Sequence, residues 1–311
     1  MKIIGKTEKR DIATVFIAEM EDGRRIEFAE SVQPPFGLEK KWVLTVSTLY
    51  GCPVGCLFCD AGIHYQGRLS RKDILAQIDY LVRRRFPDGR VAVEKFKIQF
   101  ARMGEPAFNQ NVLDILTELS GLYDAPGLLP SLSTIAPEGC DRFFERLLQI
   151  KNEFFAGNFQ LQFSIHSTDR RLRDWLIPVK KWNFDQMAEY GEAFYRKGER
   201  RITLNFALAD GMPVLPDVLL RHFRPDIFLI KITPVNPTYQ VRRRGMTSYI
   251  LPGREDYEIS DALREAGYDV ILSIGELEEN RIGSNCGQLV MSHLKENEWI
   301  RDAYTYPLVE A

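Results

Sequence analysis

The sequence lacks a strong charge imbalance, and it has no apolar run long enough to cross a membrane. Its 311 residues carry a formal net charge of only −2. No global field therefore attracts a polyanion, and a nucleic-acid partner has to be bound by local basic patches. The first residues, from Met1 to Lys6, lead directly into charged positions, which predicts neither a signal peptide nor a membrane span. We expect a cytoplasmic protein that does not contact membranes.

Cysteine is also scarce, and its distribution is uneven. The chain has five cysteines, an odd number, and three of them lie between positions 52 and 59. This crowding favours a metal site in a reducing compartment over a disulfide framework. Internal repeats and low-complexity tracts are absent as well. The 45% hydrophobic content is enough for a large core, and the length lies in the range of a single α/β barrel.

Short arginine clusters are the remaining candidates for nucleic-acid contact. They lie at residues 83–85, at 170, 171 and 173, and at 242–244. Solvated helix ends and loops are the alternative interpretation of each cluster. Charge alone therefore does not decide between a nucleic acid and a small molecule as substrate.

The apolar pattern predicts a β-hairpin followed by repeated βα units. Apolar and polar residues alternate over 12–20 and 25–32 on either side of Asp22-Gly23, as in a hairpin. Later strands are predicted at 42–48, 95–101, 131–135, 160–165, 201–208, 227–233 and 270–273. Helices are predicted at 71–85, 112–119, 141–150, 185–196, 215–222 and 255–265.

This alternation indicates an α/β fold. Six parallel strands with crossover helices predict a partial (β/α)6 version of the TIM barrel, with its active groups at the C-terminal strand ends. We divide the chain into an N-terminal β-hairpin extension (1–36), the partial barrel (37–275) and a C-terminal segment carrying Cys286 (276–311).

The cysteine run 51–59 holds the most specific chemical signal. Cys52, Cys56 and Cys59 follow the first barrel strand at spacings of four and three residues. Three thiolates on one loop suit a four-iron cluster, and leave one iron open for another ligand. The alternative is a zinc site, which requires a fourth ligand such as His64.

Other polar residues follow the next strands of the barrel. Gly104 and Glu105 come after the second strand, where glycine allows close backbone approach and a carboxylate can accept from an ammonium group. The remaining candidates end later strands: Ser133 on the third, Ser164, Ile165 and His166 on the fourth, and Asn236 just past the sixth. All of them are expected to reach one ligand at the same edge.

The cysteine spacing, with Phe58 before the last cysteine, resembles the signature of radical S-adenosylmethionine (SAM) enzymes. The resemblance implies a [4Fe-4S] cluster on Cys52, Cys56 and Cys59, with SAM on the open iron. Gly104 and Glu105 resemble the Gly-Glu motif of these enzymes, which implies that they bind the amino end of SAM.

Within this superfamily the chain is similar to the RlmN/Cfr family of RNA adenine methyltransferases over residues 30–290. Collinear matches lie at 103–106 with Asn109, 133–134, 163–167, Arg173, 176–178 and 232–237. The most specific match is Asn285-Cys286-Gly287-Gln288-Leu289, which resembles the family's Ala-Cys-Gly-Gln-Leu.

The resemblance implies a role for two more residues. Cys286 would be methylated by one SAM, and a radical generated from a second SAM would activate that methyl group for addition to an sp2 carbon of adenine. Glu30, in Glu30-Ser31-Val32, resembles the proton-accepting glutamate of the family. The alternatives are a buried structural cysteine at 286 and an exposed strand-end glutamate at 30.

The sequence departs from the family in two respects. Thr45 stands where the family has a second cysteine, whose thiolate resolves the covalent adduct, and a hydroxyl attacks sulfur poorly. Cys140 is the remaining thiol, and it is either a substitute or a helix-start packing residue. The part before the cysteine loop is also short, and we expect that the family's N-terminal helical RNA-binding domain is missing.

These observations favour a divergent methyltransferase that acts through Cys286 on RNA or on a smaller adenine-like or heteroaromatic substrate. One alternative is a non-methylating radical SAM enzyme that abstracts hydrogen from a small molecule or peptide. A non-catalytic iron-sulfur and SAM-binding sensor is a third hypothesis. Either enzyme would need a reductant such as flavodoxin or ferredoxin.

Overall fold

The computed structural model describes residues 1–32, 37–251, 253–254, 256–275, 277–284 and 303–310. The strands are β1 (Lys2–Lys9), β2 (Ala13–Glu19), β3 (Arg25–Ser31), β4 (Lys41–Val46), β5 (Leu49–Tyr50), β6 (Gly67–Arg68), β7 (Lys95–Phe100), β8 (Leu128–Thr134), β9 (Gln160–Ser164), β10 (Ile202–Leu208), β11 (Phe228–Pro234), β12 (Val270–Leu272) and β13 (Val309–Glu310). The α-helices are α1 (Arg71–Arg85), α2 (Asn111–Leu122), α3 (Asp141–Phe154), α4 (Arg170–Leu176), α5 (Phe184–Phe194), α6 (Pro216–Leu220), α7 (Tyr239–Arg243), α8 (Glu258–Glu265) and α9 (Leu277–Ile282).

One sheet contains all of these strands except β5 and β6. Its order is β12-β11-β10-β9-β8-β7-β4-β3-β2-β1-β13. The seven strands from β4 to β12 in this sheet run parallel, and helices lie in the crossovers between them. No pairing between the described strands closes the sheet into a ring. The predicted α/β fold with a parallel central sheet is confirmed, and the strand predicted at 270–273 adds a seventh parallel strand as β12, which pairs with β11.

The N-terminal strands extend this sheet. The predicted hairpin is present as β2 and β3, joined by a turn in which Asp22 accepts from the backbone of Arg24 at 3.0 Å. β1 is a further strand that the sequence pattern did not indicate. Because β3 pairs antiparallel with β4, these strands continue the central sheet.

The two faces of the parallel strands differ in polarity. Along β4, Trp42, Leu44 and Val46 are fully buried in the main core with the helices. Lys41 and Thr45 alternate with them and are only half-buried, so they point to the opposite face, which we call the inner face. In the described part of the chain, no helix is long and apolar enough to cross a membrane.

The C-terminal segment returns to the inner face of the N-terminal strands. Ile282 of α9 packs in a small apolar cluster with Val15, Ile17 and Ala29. The Thr7 hydroxyl of β1 donates to the Ile282 carbonyl at 2.7 Å, and β13 pairs with β1. The end of α9 is therefore fixed against the sheet.

Candidate functional site

The three clustered cysteines lie on a loop at the C-terminal edge of the parallel strands. The loop follows β5 and ends in a short 3-10 turn that begins at Asp60. The Cys52 amide donates to the Ala61 carbonyl at 2.7 Å, and the Cys59 amide donates to the Cys56 carbonyl at 3.0 Å. These bonds curl the backbone so that all three side chains belong to one compact loop.

Neighbouring loops hold this cysteine loop in place. The Leu57 amide donates to the Leu176 carbonyl at the end of α4 at 2.9 Å. The Thr238 hydroxyl donates to the Phe58 carbonyl at 2.8 Å. Asp60, fully buried, accepts from two backbone amides at the start of α7. Sequence reasoning missed Asp60 and Thr238, although an aspartate directly after the last cysteine was a usable signal.

The environment of the thiols fits an iron-sulfur cluster. All three cysteines are half-buried, and apolar side chains including Val54, Ile135 and Leu176 pack against Cys52 and Cys56. Burial raises the pKa of Cys56 well above its usual value, and the negative charge of the other two thiolates adds to the effect. A bound cationic iron centre reverses this penalty, because metal ligation stabilises thiolates.

Single-ion geometry is not present in the described residues. No group of three or more His, Cys, Asp or Glu side chains there converges as the ligands of one metal ion do. The cysteines of a cubane bind different irons and do not have to converge. His64, the candidate fourth ligand of a zinc site, is exposed.

The loop after β7 packs directly under the cysteine loop. Gly104 has a φ of +100°, and a Cβ there would lie 2.5 Å from the Leu49 side chain, so only glycine fits. The Met103 carbonyl accepts from the Thr48 and Leu49 amides. The buried Asn109 amide donates to the Thr48 and Leu69 carbonyls at 2.7 and 2.8 Å, which fixes the loop to the strand end.

Glu105 is buried at this loop. Its carboxylate accepts from the Thr134 hydroxyl at 2.6 Å, the Ile135 amide at 3.0 Å and the Ala107 amide at 3.1 Å. Burial raises the pKa of Glu105 to about 7, although these hydrogen bonds favour the ionised form. A ligand cation placed beside Glu105 would lower this cost, so the site is suited to an ammonium group.

Ser133 lies in a polar network on the inner face. Its hydroxyl accepts from Gln162 at 3.2 Å and from Gln99 at 3.4 Å. Gln99 pairs with Thr45 of β4 in the parallel register. The structure therefore brings Thr45, which stands in place of the family's second cysteine, to the same face as Ser133.

The fourth-strand candidates lie where β9 meets β10. Ser164 pairs with Asn205 of β10, whose carbonyl accepts from the Ile165 amide at 2.9 Å. Ile165 is fully buried, and His166 has a positive φ of 64°. The His166 ring contacts Phe58 of the cysteine loop, with 4.8 Å between ring centroids.

His166 is expected to make the protein sensitive to mild acid. The Ala207 amide donates to Nδ1 at 2.9 Å, so the ring is neutral with its proton on Nε2. Burial lowers the pKa of His166 to about 3. The unfolded chain binds a proton below pH 6.5 and the folded chain does not, so stability is lost as the pH falls below 6.5, by about 1.4 kcal/mol per pH unit.

Urea unfolding at pH 7.5, 6.5 and 5.5 measures this dependence. The His166→Asn variant, which keeps an acceptor near the Nδ1 position and tolerates positive φ, is expected to show a flatter profile by about 1 kcal/mol between pH 6.5 and 5.5. Identical profiles for both proteins would contradict this assignment.

Asn236 and Cys140 lie on two further loops at this edge. Asn236 is half-buried after β11, and its carbonyl accepts from the Thr238 amide at 2.9 Å. Cys140 is half-buried at the N-cap of α3, against the main core. Burial and the negative charge of Glu105 raise the pKa of the Cys140 thiol to about 11, which reduces its reactivity.

Glu30 lies on the opposite face of the sheet from Thr45. Its buried carboxylate accepts from Trp42 Nε1 at 2.9 Å, from Arg84 at 2.6 Å and from Arg85 at 2.5 and 2.9 Å. Arg84 and Arg85 lie in the last turn of α1, the end away from the cysteine loop. The structure therefore does not bring Glu30 to the thiols, and its surroundings are those of a structural ion pair.

The Glu30→Gln variant separates these two roles. If Glu30 belongs to a structural ion pair, this variant is expected to lose about 2 kcal/mol in the free energy of unfolding. The loss arises because the negative partner of two arginines is removed, and it stays at this size because the arginines are partly exposed. Chemical unfolding measures this loss. Turnover per folded molecule is expected to stay within about twofold, and a general-base role would instead lower it by about 100-fold or more.

Two other features of the inner face were not predicted. Glu27 and Arg102 form a fully buried ion pair with 2.7 Å between Oε1 and Nε. Lys97 is half-buried near Lys41, Lys95 and Lys231, and burial with these like charges lowers its pKa well below the usual value. The proximity of these lysines could not be predicted from the sequence, because it depends on which face each side chain takes and on the register between strands.

Cys286 lies outside the described residues. The described chain reaches Ser284, two positions earlier, and resumes at Ala303.

Comparisons with known proteins show which proteins this chain is similar to. The search against family models gave no match. The chain is 28% identical over 284 residues to the "Dual-specificity RNA methyltransferase RlmN" of Halorhodospira halophila, covering 88% of this chain and 72% of that protein. It is 26% identical to the "Ribosomal RNA large subunit methyltransferase N" of Nitrosopumilus maritimus, covering 89% and 76%.

Two further comparisons extend this result. A "Probable dual-specificity RNA methyltransferase RlmN" of Desulfitobacterium hafniense is 30% identical over 254 residues, covering 78% of this chain and 66% of that protein. The fold is similar to the crystal structure of a radical SAM methyltransferase from Sphaerobacter thermophilus, with a TM-score of 0.61 and 22% identity, over 88% of this chain and 78% of that one. The chain therefore belongs to the RlmN-related family of radical SAM methyltransferases.

Proposed function

We propose that this protein is a radical SAM methyltransferase that transfers a methyl group through Cys286 to an sp2 carbon of an adenine-like base. The observation that carries this proposal is the cysteine loop at the C-terminal strand edge, held by the loops that follow β9 and β11. The substrate is RNA or a smaller adenine-containing molecule.

Each site residue has a defined task in this proposal. Cys52, Cys56 and Cys59 would hold a [4Fe-4S] cluster, which would supply the reductive cleavage of SAM. Glu105 provides the negative charge for the SAM ammonium group, and Gly104 keeps the backbone close to it. Ser133, Ser164, Ile165, His166 and Asn236 line the same edge and orient the ligand.

His166 and Phe58 restrict water at the site. The His166 ring is buried and neutral, and it packs on Phe58 between two cluster cysteines. An apolar, water-poor wall prevents side reactions of reactive species. Thr45 offers a hydroxyl where the family has a resolving thiolate, so release of the methylated product from Cys286 requires another thiol, for which Cys140 is the remaining candidate.

Exposed groups beside the cysteine loop support a nucleic-acid substrate. The two helices that hydrogen-bond to the loop, α4 and α7, both carry exposed arginines. These are Arg170, Arg171, Arg242 and Arg243, and the exposed Arg244 follows directly after α7. Trp175 on α4 is 49% exposed and offers a ring for base stacking. A flavodoxin or ferredoxin would supply the electron.

Peptide mass spectrometry of Cys286 tests the proposal. The protein is expressed with and without the cluster cysteines, and the Cys286 peptide is compared after anaerobic reconstitution with SAM. A mass increase of one CH2 unit that depends on the cluster is the expected result. An unmodified Cys286 in protein that still converts SAM to 5′-deoxyadenosine would overturn the methyl-transfer route and favour direct hydrogen abstraction from the substrate.

A further inference from the structure

A buried ion pair joins the loop after β7 to the segment that leads into Cys286. Arg102 lies two residues before Gly104 and its side chain is 3% exposed, while the Glu27 side chain of β3 is fully buried. Buried charges of this kind contribute little to stability compared with apolar side chains of the same size. Their advantage is direction, because a guanidinium presents five N–H groups in a fixed planar fork.

The two terminal nitrogens of the Arg102 guanidinium group contact two backbone carbonyls. Nη1 donates to the Ser284 carbonyl at 2.7 Å, and Nη2 donates to the Gly283 carbonyl. Gly283 has a φ of +84°, which ends α9 and turns its carbonyl away from the helix axis. One side chain therefore binds both the Glu27 carboxylate and the last described residues before Cys286.

Glu27 is itself fixed to the SAM-binding loop. The Ser47 hydroxyl donates to the Glu27 carbonyl and accepts from the Met103 amide at 3.2 Å. The Glu27 amide lies 3.4 Å from the Met103 sulfur. Strand β3, the end of β4 and the loop carrying Gly104 thus form one rigid base for the Arg102 fork.

Cys286 is two residues beyond Ser284 along the chain. Two residues of fully extended backbone span at most about 7 Å. The contact of Arg102 fixes the chain at Ser284, the last described residue before Cys286.

We propose that Arg102, oriented by Glu27, is a positioning residue for the methylation of Cys286, because it fixes the end of α9, two residues before that thiol in the sequence, to the loop carrying Gly104 and Glu105. The pair joins the end of α9 and the loop carrying Gly104 on one rigid support. This inference rests on the proposed role of Cys286 in methyl transfer.

The Arg102→Lys variant tests this inference in the anaerobically reconstituted full-length protein. Lysine keeps the charge beside Glu27 but cannot reach the carboxylate and both carbonyls with one planar fork. Methylation of Cys286 is expected to slow by roughly 10- to 100-fold, the range seen when a supporting contact is lost from a metal site. Alkylation of the Cys286 peptide by iodoacetamide without SAM is expected to accelerate by about fivefold or more, since loss of a local contact raises segmental opening.

Cluster content and SAM cleavage serve as internal references, and both are expected to stay within about twofold. The matched control is Glu199→Gln, which removes a charge from the Lys151–Glu199 pair, whose side chains are 2% and 15% exposed, on the helix side of the sheet. This control is expected to leave Cys286 methylation and alkylation unchanged.

Wild-type rates of both reactions in Arg102→Lys would overturn the inference. It would also be overturned if both variants lost methylation in parallel with cluster content, which indicates general destabilisation. Failure of the proposed function looks different, because wild-type Cys286 would then never carry a methyl group. In that case the alkylation rate still tests whether Arg102 fixes the end of α9, because alkylation requires no turnover.

Discussion

Replacement of Cys56 by alanine is expected to eliminate the iron-sulfur cluster and all cleavage of SAM. Cys56 lies at the centre of the loop, and the charges of Cys52 and Cys59 both act on it. Two remaining thiolates cannot hold a cubane with a single open iron. Production of 5′-deoxyadenosine is expected to fall to background, a loss of about 10⁶-fold or more.

Iron and sulfide analysis with chromatographic detection of 5′-deoxyadenosine measures both effects. The matched control is Cys140→Ala, because Cys140 is a free thiol at the N-cap of α3 and not on the loop. This control is expected to keep its full cluster content. Retention of a cluster and SAM cleavage in Cys56→Ala would show that the cysteine loop is not the cluster site.

The second large effect is expected at Cys286. The Cys286→Ala variant keeps the three cluster cysteines and the loop of Gly104 and Glu105, so reductive cleavage of SAM is expected to continue. Methyl transfer to the substrate is expected to fall by about 10⁴-fold or more, because the residue that carries the group is absent. Isotope-labelled SAM, with the label in its methyl group, measures transfer to the protein and to RNA separately.

Cys140→Ala is again a suitable control for this experiment. It removes a different thiol and leaves Cys286 in place, so labelled methyl is expected on Cys286 as in the wild-type protein. Transfer that persists in Cys286→Ala and stops in Cys140→Ala would assign the carrier role to Cys140. Transfer that persists in both variants would contradict a cysteine-bound methyl group altogether.

The local elements were predictable because short-range physics sets them. Helix α1 has the predicted bounds, since Ser70 and Asp73 form a capping box at its start. The β2–β3 hairpin follows from apolar alternation around Asp22-Gly23. α6 and α8 are shorter than predicted, because apolar periodicity continues beyond the residues that form helical hydrogen bonds.

Residues that share an edge of the sheet were predictable from strand order. Cys56, Gly104, Ser164 and Asn236 each follow the end of a parallel strand, and such ends meet at one edge. The hydrogen bonds that hold the cysteine loop in place were not predictable from the sequence. Asp60 accepts from amides of α7, about 180 residues away in the chain, and only folding brings these groups together.

Strand β3 shows which features the sequence determines and which the tertiary structure decides. The sequence by itself determined the cysteine loop, the Gly104-Glu105 turn and the alternating strands and helices, because each depends on neighbours along the chain. Only the tertiary structure decided which carboxylate of β3 faces the inner side. The pairing of Ala29 with Thr45 places Glu27 on the same face as Thr45, whereas Glu30 points to the helices. Successive side chains of a strand point to opposite faces, so the long-range register between β3 and β4 selects Glu27.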